Sequence, residues 1–522
     1  MLRSLVLMAL GLYTPAVSFA DASPSRPTVR TSAGLVEGTR GTGVDKFLGI
    51  PFAAPPVGDL RWKAPLPPVP WSGVRSATTF STSCMQITPA ESSASALAAT
   101  PWTYEYLDHQ PISEDCLYLN VWSPKASARS RLPVMVWIHG GAFMVGSGAV
   151  PIYDGEGLAE KGIVVVTVNY RLGAFGFLAH PELTKESAHS ASGNYGLMDQ
   201  MAALKWVRAN ISGFGGDPRR VTIAGQSAGA ASIGDLIASP TAVGLFRGAI
   251  AESGTGVNLF GRFATLDQAE AAGVTFTKAL GVESIADLRK IPASQIVAQR
   301  GRFGHIIDGW ILPAAPGGGN AVSPVPLLTG FVANEAGMAL PGGTPEEQRA
   351  ALAMRYAPLS DDFLSLYRDL NPAQISQQAN RDRDLASLAI WSKELPEKPS
   401  SRLYVYLFDH VEPGPDAARF GAFHTSEVPY VLRTLDKSPP SVGRQFAAVD
   451  REVSNLASAY WVNFIKTGNP NGAGLQNWPA FTQETQEVLH LDEAPDATLA
   501  LTPEKLAFFQ DFFNRGGVLG LF

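Results

Sequence analysis

The chain has 522 residues, 45% hydrophobic and 17% charged, with 51 Gly, 39 Pro and a formal net charge of −6. A chain of that length and apolar content can bury a large core, and its low charge fraction argues against disorder. The acidic balance, with no basic run interleaved with aromatics, argues against nucleic acid as a partner.

Residues 1–20 combine Arg3, an apolar stretch from Leu5 to Val17 and small residues at Ser18 and Ala20. That pattern predicts a secretory signal peptide cleaved after Ala20, and hence an exported protein, periplasmic or extracellular. The stretch is short and carries Pro15, so it suits a membrane span poorly, and no later run is long enough. No stable membrane insertion is expected. Residues 21–522 hold no linker, repeat or low-complexity tract and are read as one domain.

Residues 21–30 read as a loose polar lead-in, and 31–38 as short antiparallel strands. Residues 47–62 are Pro-rich but too apolar for a linker, so irregular structure packed on the body is expected there. The two cysteines, Cys84 and Cys116, are 116 − 84 = 32 residues apart. A lone pair in an exported chain suits a disulfide better than a metal site, which wants more ligands. The segment between them, 85–115, reads as a long loop of the kind that forms lids or binding loops.

Continuous apolar runs follow at 119–122, 134–138, 163–168, 221–224, 249–251, 327–332, 402–408 and 488–491. Runs of that kind fit strands buried on both faces of a mostly parallel sheet. Helical patterns alternate with them, notably at 198–207 and 230–237. The expected fold class is α/β, a large central sheet flanked by helices, with small antiparallel strands at the N-terminal end.

Gly225-Gln226-Ser227-Ala228-Gly229 lies between the 221–224 run and the 230–237 helix pattern. A G-x-S-x-G turn between strand and helix presents its serine at the tip of a nucleophile elbow. A serine nucleophile needs a base, a carboxylate to orient the base, and donors for the oxyanion. His139-Gly140-Gly141-Ala142-Phe143 follows the 134–138 run, and glycines there let backbone N–H groups point into a site. Among the eight histidines, His424, His410 and His490 lie late enough to be the base. For the acid, Glu335 follows the 327–332 run, and Asp308 is its rival. Residue types and order leave both choices open.

Several longer blocks bear on that choice. Residues 47–62, the stretch Glu114-Asp115-Cys116-Leu117-Tyr118-Leu119-Asn120-Val121, the region from Phe214-Gly215-Gly216-Asp217-Pro218 to Gly229, the acid loop Asn334-Glu335-Ala336-Gly337 and the histidine loop 421–430 together resemble the type-B carboxylesterases, the family that includes the cholinesterases. The resemblance runs from about residue 30 to about residue 495 and implies the α/β-hydrolase fold. It implies Ser227 as nucleophile, Glu335 as triad acid, His424 as base, and the N–H groups of Gly141, Ala142 and Ala228 as the oxyanion hole. It implies a Cys84–Cys116 disulfide as well. The chain departs from the family pattern at Gln226, where many members have Glu, at Thr425, where Gly often follows the histidine, and in lacking further disulfides.

The activity so implied is hydrolysis of small-molecule carboxylic esters through an acyl-enzyme, with no metal or cofactor. The same site could serve amides, lactones or thioesters, and a non-catalytic binding or adhesion role on this fold is the alternative from another class. Segment 85–115 and residues 259–316 are expected to line the gorge. The oligomeric state is left open.

Overall fold

The computed structural model describes residues 26–88, 100–125, 130–255, 263–316, 323–335, 343–393 and 401–519. The apolar runs pair into one eleven-stranded sheet. Its strands are β1 (Thr39–Arg40), β2 (Val44–Pro51), β3 (Tyr118–Pro124), β4 (Leu132–Ile138), β5 (Val164–Val168), β6 (Gly216–Gln226), β7 (Gly248–Glu252), β8 (Leu327–Val332), β9 (Leu403–Phe408), β10 (Glu487–Leu491) and β11 (Asp496–Leu499). In space they run β11-β10-β9-β8-β7-β6-β4-β5-β3-β2-β1. Neighbours from β10 across to β5 are parallel, and the strands at both edges are antiparallel.

The runs are continuous because each face of the sheet feeds a separate core. Val134, Val136 and Ile138 enter one apolar cluster, whereas Met135 and Trp137 enter the other. Strand β9 alternates in the same way, with Leu403, Val405 and Leu407 on the first side and Tyr404, Tyr406 and Phe408 on the second. Burying each such side chain contributes about 1.5–3 kcal/mol, which makes a polar substitution costly on either face. The helices α1 (Tyr195–Asn210), α2 (Ala228–Ala238) and α3 (Pro372–Ser392) cover the first face, and α4 (Ala448–Thr467) covers the second. Parallel strands put all their C-terminal ends on one edge, where ligands bind in open α/β sheets.

Two expectations need correction near the N-terminus. Residues 47–62 are not irregular throughout, because β2 takes Val44–Pro51 and pairs with β3. Its register shifts between Phe47 and Ile50, where Gly49 adopts φ +73°, and that bulge hid the strand from a period-two reading. The lead-in is also ordered at its end: Thr28–Arg30 pairs antiparallel with Leu35–Glu37, which in turn pairs parallel with Val74–Ser76. Residues 1–20, read as the signal peptide, lie outside the described residues.

Cys84 and Cys116 form a disulfide. Within the loop that it closes, Tyr104–Tyr106 make a 3-10 turn and Ile112–Ser113 pair with Ser83–Cys84. No helix among the described residues is long and apolar enough to cross a membrane.

Candidate active site

Strand β6 ends at Gln226 and helix α2 starts at Ala228, so a single residue makes the turn. That residue, Ser227, sits at φ +57° and ψ −123°, a backbone conformation that costs a non-glycine residue of order 1–3 kcal/mol. Its N–H donates to the carbonyl of Glu252 at the end of β7 (2.8 Å), which pins the turn to the next strand. The flanking glycines are obligatory on steric grounds. A Cβ on Gly225 would lie 2.5 Å from the Ile138 carbonyl oxygen, and one on Gly229 only 2.1 Å from it.

The same carbonyl belongs to the strand that feeds the glycine loop. Past Ile138, a Cβ on Gly140 would lie 3.1 Å from the Ser227 Cβ, so this loop passes directly beside the serine. Gly141 (φ +101°), Ala142 (φ +54°) and Phe143 (φ +60°) are all left-handed. The loop closes on itself through Met144 and Val145, whose N–H groups donate to the Gly141 carbonyl. Among the described residues no acceptor takes the N–H of Gly141, Ala142 or Ala228. Gln86, two residues past Cys84, holds the loop's far end: its amide donates to the Gly146 carbonyl (3.0 Å) and accepts from the Gly146 N–H (2.7 Å). His139 is buried against Tyr170, and burial pulls its pKa down to about 4, so it is neutral at neutral pH.

The imidazole of His424 is also buried, on the loop after β9, and its Nδ1–H donates to Glu335 Oε2. Glu335 lies just past β8, and its Oε1 accepts from Ser253 Oγ and from the Val332 N–H (2.9 Å). Gln226 Nε2 stands 3.1 Å from His424 Nε2, so the residue before Ser227 touches the imidazole directly. Trp102, in the disulfide-closed loop, donates from Nε1 to the His424 carbonyl (3.1 Å). Burial lowers the His424 pKa, but the charge and hydrogen bond of Glu335 and the charge of Glu427 outweigh it, leaving the pKa above 6.5. Behind Glu335, Ser253 Oγ also lies 3.3 Å from Glu427 Oε1, and Trp461 Nε1 donates to Glu252 (2.8 Å). Burial holds both Glu252 and Glu427 above the usual carboxylate range.

The rival residues are occupied elsewhere. His410 bridges Asp450 (2.9 Å) and Glu493 (2.8 Å), and His490 pairs with Asp409 and Thr498. Asp308 spends Oδ1 on the N–H groups of Trp310 and Leu312, which is a turn-closing role. Glu252, Ser253, Glu427 and Gln86 escaped the reading of the sequence. A charge ending an otherwise apolar strand, as in Gly248–Glu252, is the signal that would have marked Glu252.

Comparison with known proteins places these features in context. The model of the carboxylesterase family matches residues 25–509. Fumonisin B1 esterase of Sphingopyxis macrogoltabida is 40% identical over 482 residues, covering 86% of this chain and 84% of that protein. Para-nitrobenzyl esterase of Bacillus subtilis is 38% identical, covering 91% and 96%. A solved PNB esterase superposes with a TM-score of 0.77 at 34% identity, over 93% of this chain and 99% of that one.

Proposed function

The chain belongs to the carboxylesterase family, it hydrolyses carboxylic esters, and from that premise we propose how its own residues do so. Ser227 attacks the ester carbonyl while His424 takes its proton, and Glu335 holds the imidazole by Nδ1–H and stabilises the imidazolium. The N–H groups of Gly141, Ala142 and Ala228 bind the oxyanion of the tetrahedral intermediate. His424 then protonates the departing alcohol. Water attacks the acyl-enzyme by the same proton path, releasing the acid and restoring Ser227. The observation that carries this assignment is the chain of contacts from the elbow through Gln226 to His424 and on to Glu335.

The substrates are small-molecule esters. The relatives' names point to different esters, so the family leaves acyl and alcohol preference to the walls of each site. We further read residues 21–522 as one domain and the chain as exported to the periplasm or beyond. The apolar leader and the disulfide support export.

Ser227→Ala should fold normally, lose ester hydrolysis and lose covalent labelling by a fluorophosphonate probe. Labelling that persists in the variant would mean that another nucleophile does the work.

A further inference from the structure

The loop that carries His424 is held in a conformation that its own sequence resists. Thr425, the residue after the histidine, sits at φ +87°. A β-branched side chain is an outlier there, because its Cβ substituents crowd the flanking backbone, and such a residue persists only where its surroundings hold it. Thr425 is buried, and backbone bonds close the turn on either side of it, from the Ser426 N–H to the Phe423 carbonyl (2.8 Å) and from the Val428 N–H to the Thr425 carbonyl (3.1 Å). The His424 carbonyl accepts from Trp102 Nε1–H at 3.1 Å. That carbonyl belongs to the peptide whose orientation the Thr425 φ describes, so a bond to it acts directly on the strained torsion.

Trp102 holds a backbone because it is itself held. Arg444 Nη2 donates to the Pro101 carbonyl (2.9 Å) and to Thr103 Oγ1 (3.2 Å), so one guanidinium fixes both neighbours of Trp102. Its Nε donates to Glu105 Oε1 (2.9 Å), and both side chains of that pair are buried. The same guanidinium lies over the ring of Phe423, 5.5 Å from its centroid, and Phe423 directly precedes His424. On the other side stands Asn334, the neighbour of Glu335. Its N–H donates to the Ala422 carbonyl (2.9 Å) and its side-chain amide to the Phe420 carbonyl (2.7 Å). The histidine loop is thus fastened to the acid loop up to Ala422 and to the disulfide-closed loop at the histidine itself.

We propose that Trp102 is a positioning residue for catalysis: its indole N–H holds the His424 carbonyl against the strain at Thr425 and so keeps the imidazole in its working orientation. The proposal rests on the reading of His424 as the base.

Trp102→Phe keeps an apolar ring and removes the donor. Turnover per fluorophosphonate-labelled site should fall roughly tenfold, the size of one hydrogen bond, with KM within about a factor of two. The same change made on Thr425→Gly, where a left-handed backbone is unstrained, should cost less than about threefold. Should Trp102→Phe not fold, replacing Trp102 by benzothienylalanine, which keeps both rings and lacks only the N–H, gives the same two comparisons. A merely structural contact would lower the labelled fraction or the denaturant midpoint while turnover per labelled site stayed constant, and that result would overturn the proposal. An equal loss of turnover in both backgrounds would overturn it too. Failure of the base assignment reads separately, in His424→Ala: a variant that retains kcat would show that another group takes the Ser227 proton.

Discussion

The His424 imidazole is pulled in two directions. Burial favours its neutral form, while the Glu335 charge and hydrogen bond, with the Glu427 charge, favour the cation and prevail. If His424 is the base proposed above, only its neutral imidazole accepts the Ser227 proton, so kcat/KM should fall as pH drops through a midpoint above 6.5 rather than below it. Removing the charge but keeping the shape, in Glu335→Gln, leaves burial unopposed by its main partner. The acid limb should then move down in pH, and kcat should drop by roughly 10³–10⁴-fold, as for the equivalent Asp→Asn change in a serine protease triad. A wild-type acid limb at or below 6, or a Glu335→Gln variant with an unmoved limb, would contradict this role. Ser253 belongs to the same small network, since its hydroxyl fixes the carboxylate oxygen that His424 does not use.

At the scale of elements, the site depends on how closely two strand ends approach. The Ile138 carbonyl leaves no room for a side chain on Gly229, so Gly229→Ala has to displace backbone rather than a flexible side chain. Its expected cost is on the order of 3 kcal/mol or more, read as a lowered denaturant midpoint, and an unchanged midpoint would mean that the elbow relaxes easily. The glycine loop, proposed above to supply the oxyanion donors, is held at its far end by Gln86, whose amide is paired both ways with Gly146 beside the disulfide. Gln86→Ala should lower kcat roughly tenfold with KM little changed, since the donors it positions act mainly on the transition state. Equal kcat in the variant and wild type would show that the loop holds its shape unaided. What was legible beforehand follows from the same geometry. Strand β4, the elbow and the glycine loop announce themselves locally, by an apolar run and by glycines where a Cβ collides. Strand β2 did not, because its bulge breaks the alternation. The Trp102–His424 bond joins positions 322 residues apart, and nothing in the neighbourhood of Trp102 announces it.

For the whole molecule, the buried titrating groups decide where the fold is most stable. His139 is held neutral with a pKa of about 4 against 6.5 when unfolded. A lowered histidine contributes stability that is present above 6.5 and lost as pH falls towards 4, in all on the order of 3 kcal/mol. The buried carboxyls act in the opposite sense. Burial raises Glu412 to about 7 and also raises Glu252, Glu427, Asp199, Asp235 and Asp384. A raised carboxyl contributes stability that is present below its unfolded pKa and lost as pH rises through its folded one. His424, also raised, loses its contribution as pH rises past its folded value. His180 and the lowered carboxyls Glu186, Asp217, Asp287 and Glu493 join His139 in weakening the fold in acid, while the raised carboxyls weaken it as pH climbs past their unfolded values, so the optimum should lie on the acid side of neutrality. Each raised carboxyl costs up to about 1.4 kcal/mol per pH unit while it titrates. Denaturant midpoints measured from pH 4 to 9 should therefore be highest near pH 4–5 and decline from there through neutrality to about pH 8. A midpoint that stays level or rises between pH 6 and 9 would show that the buried carboxyls are ionised in the fold at little cost.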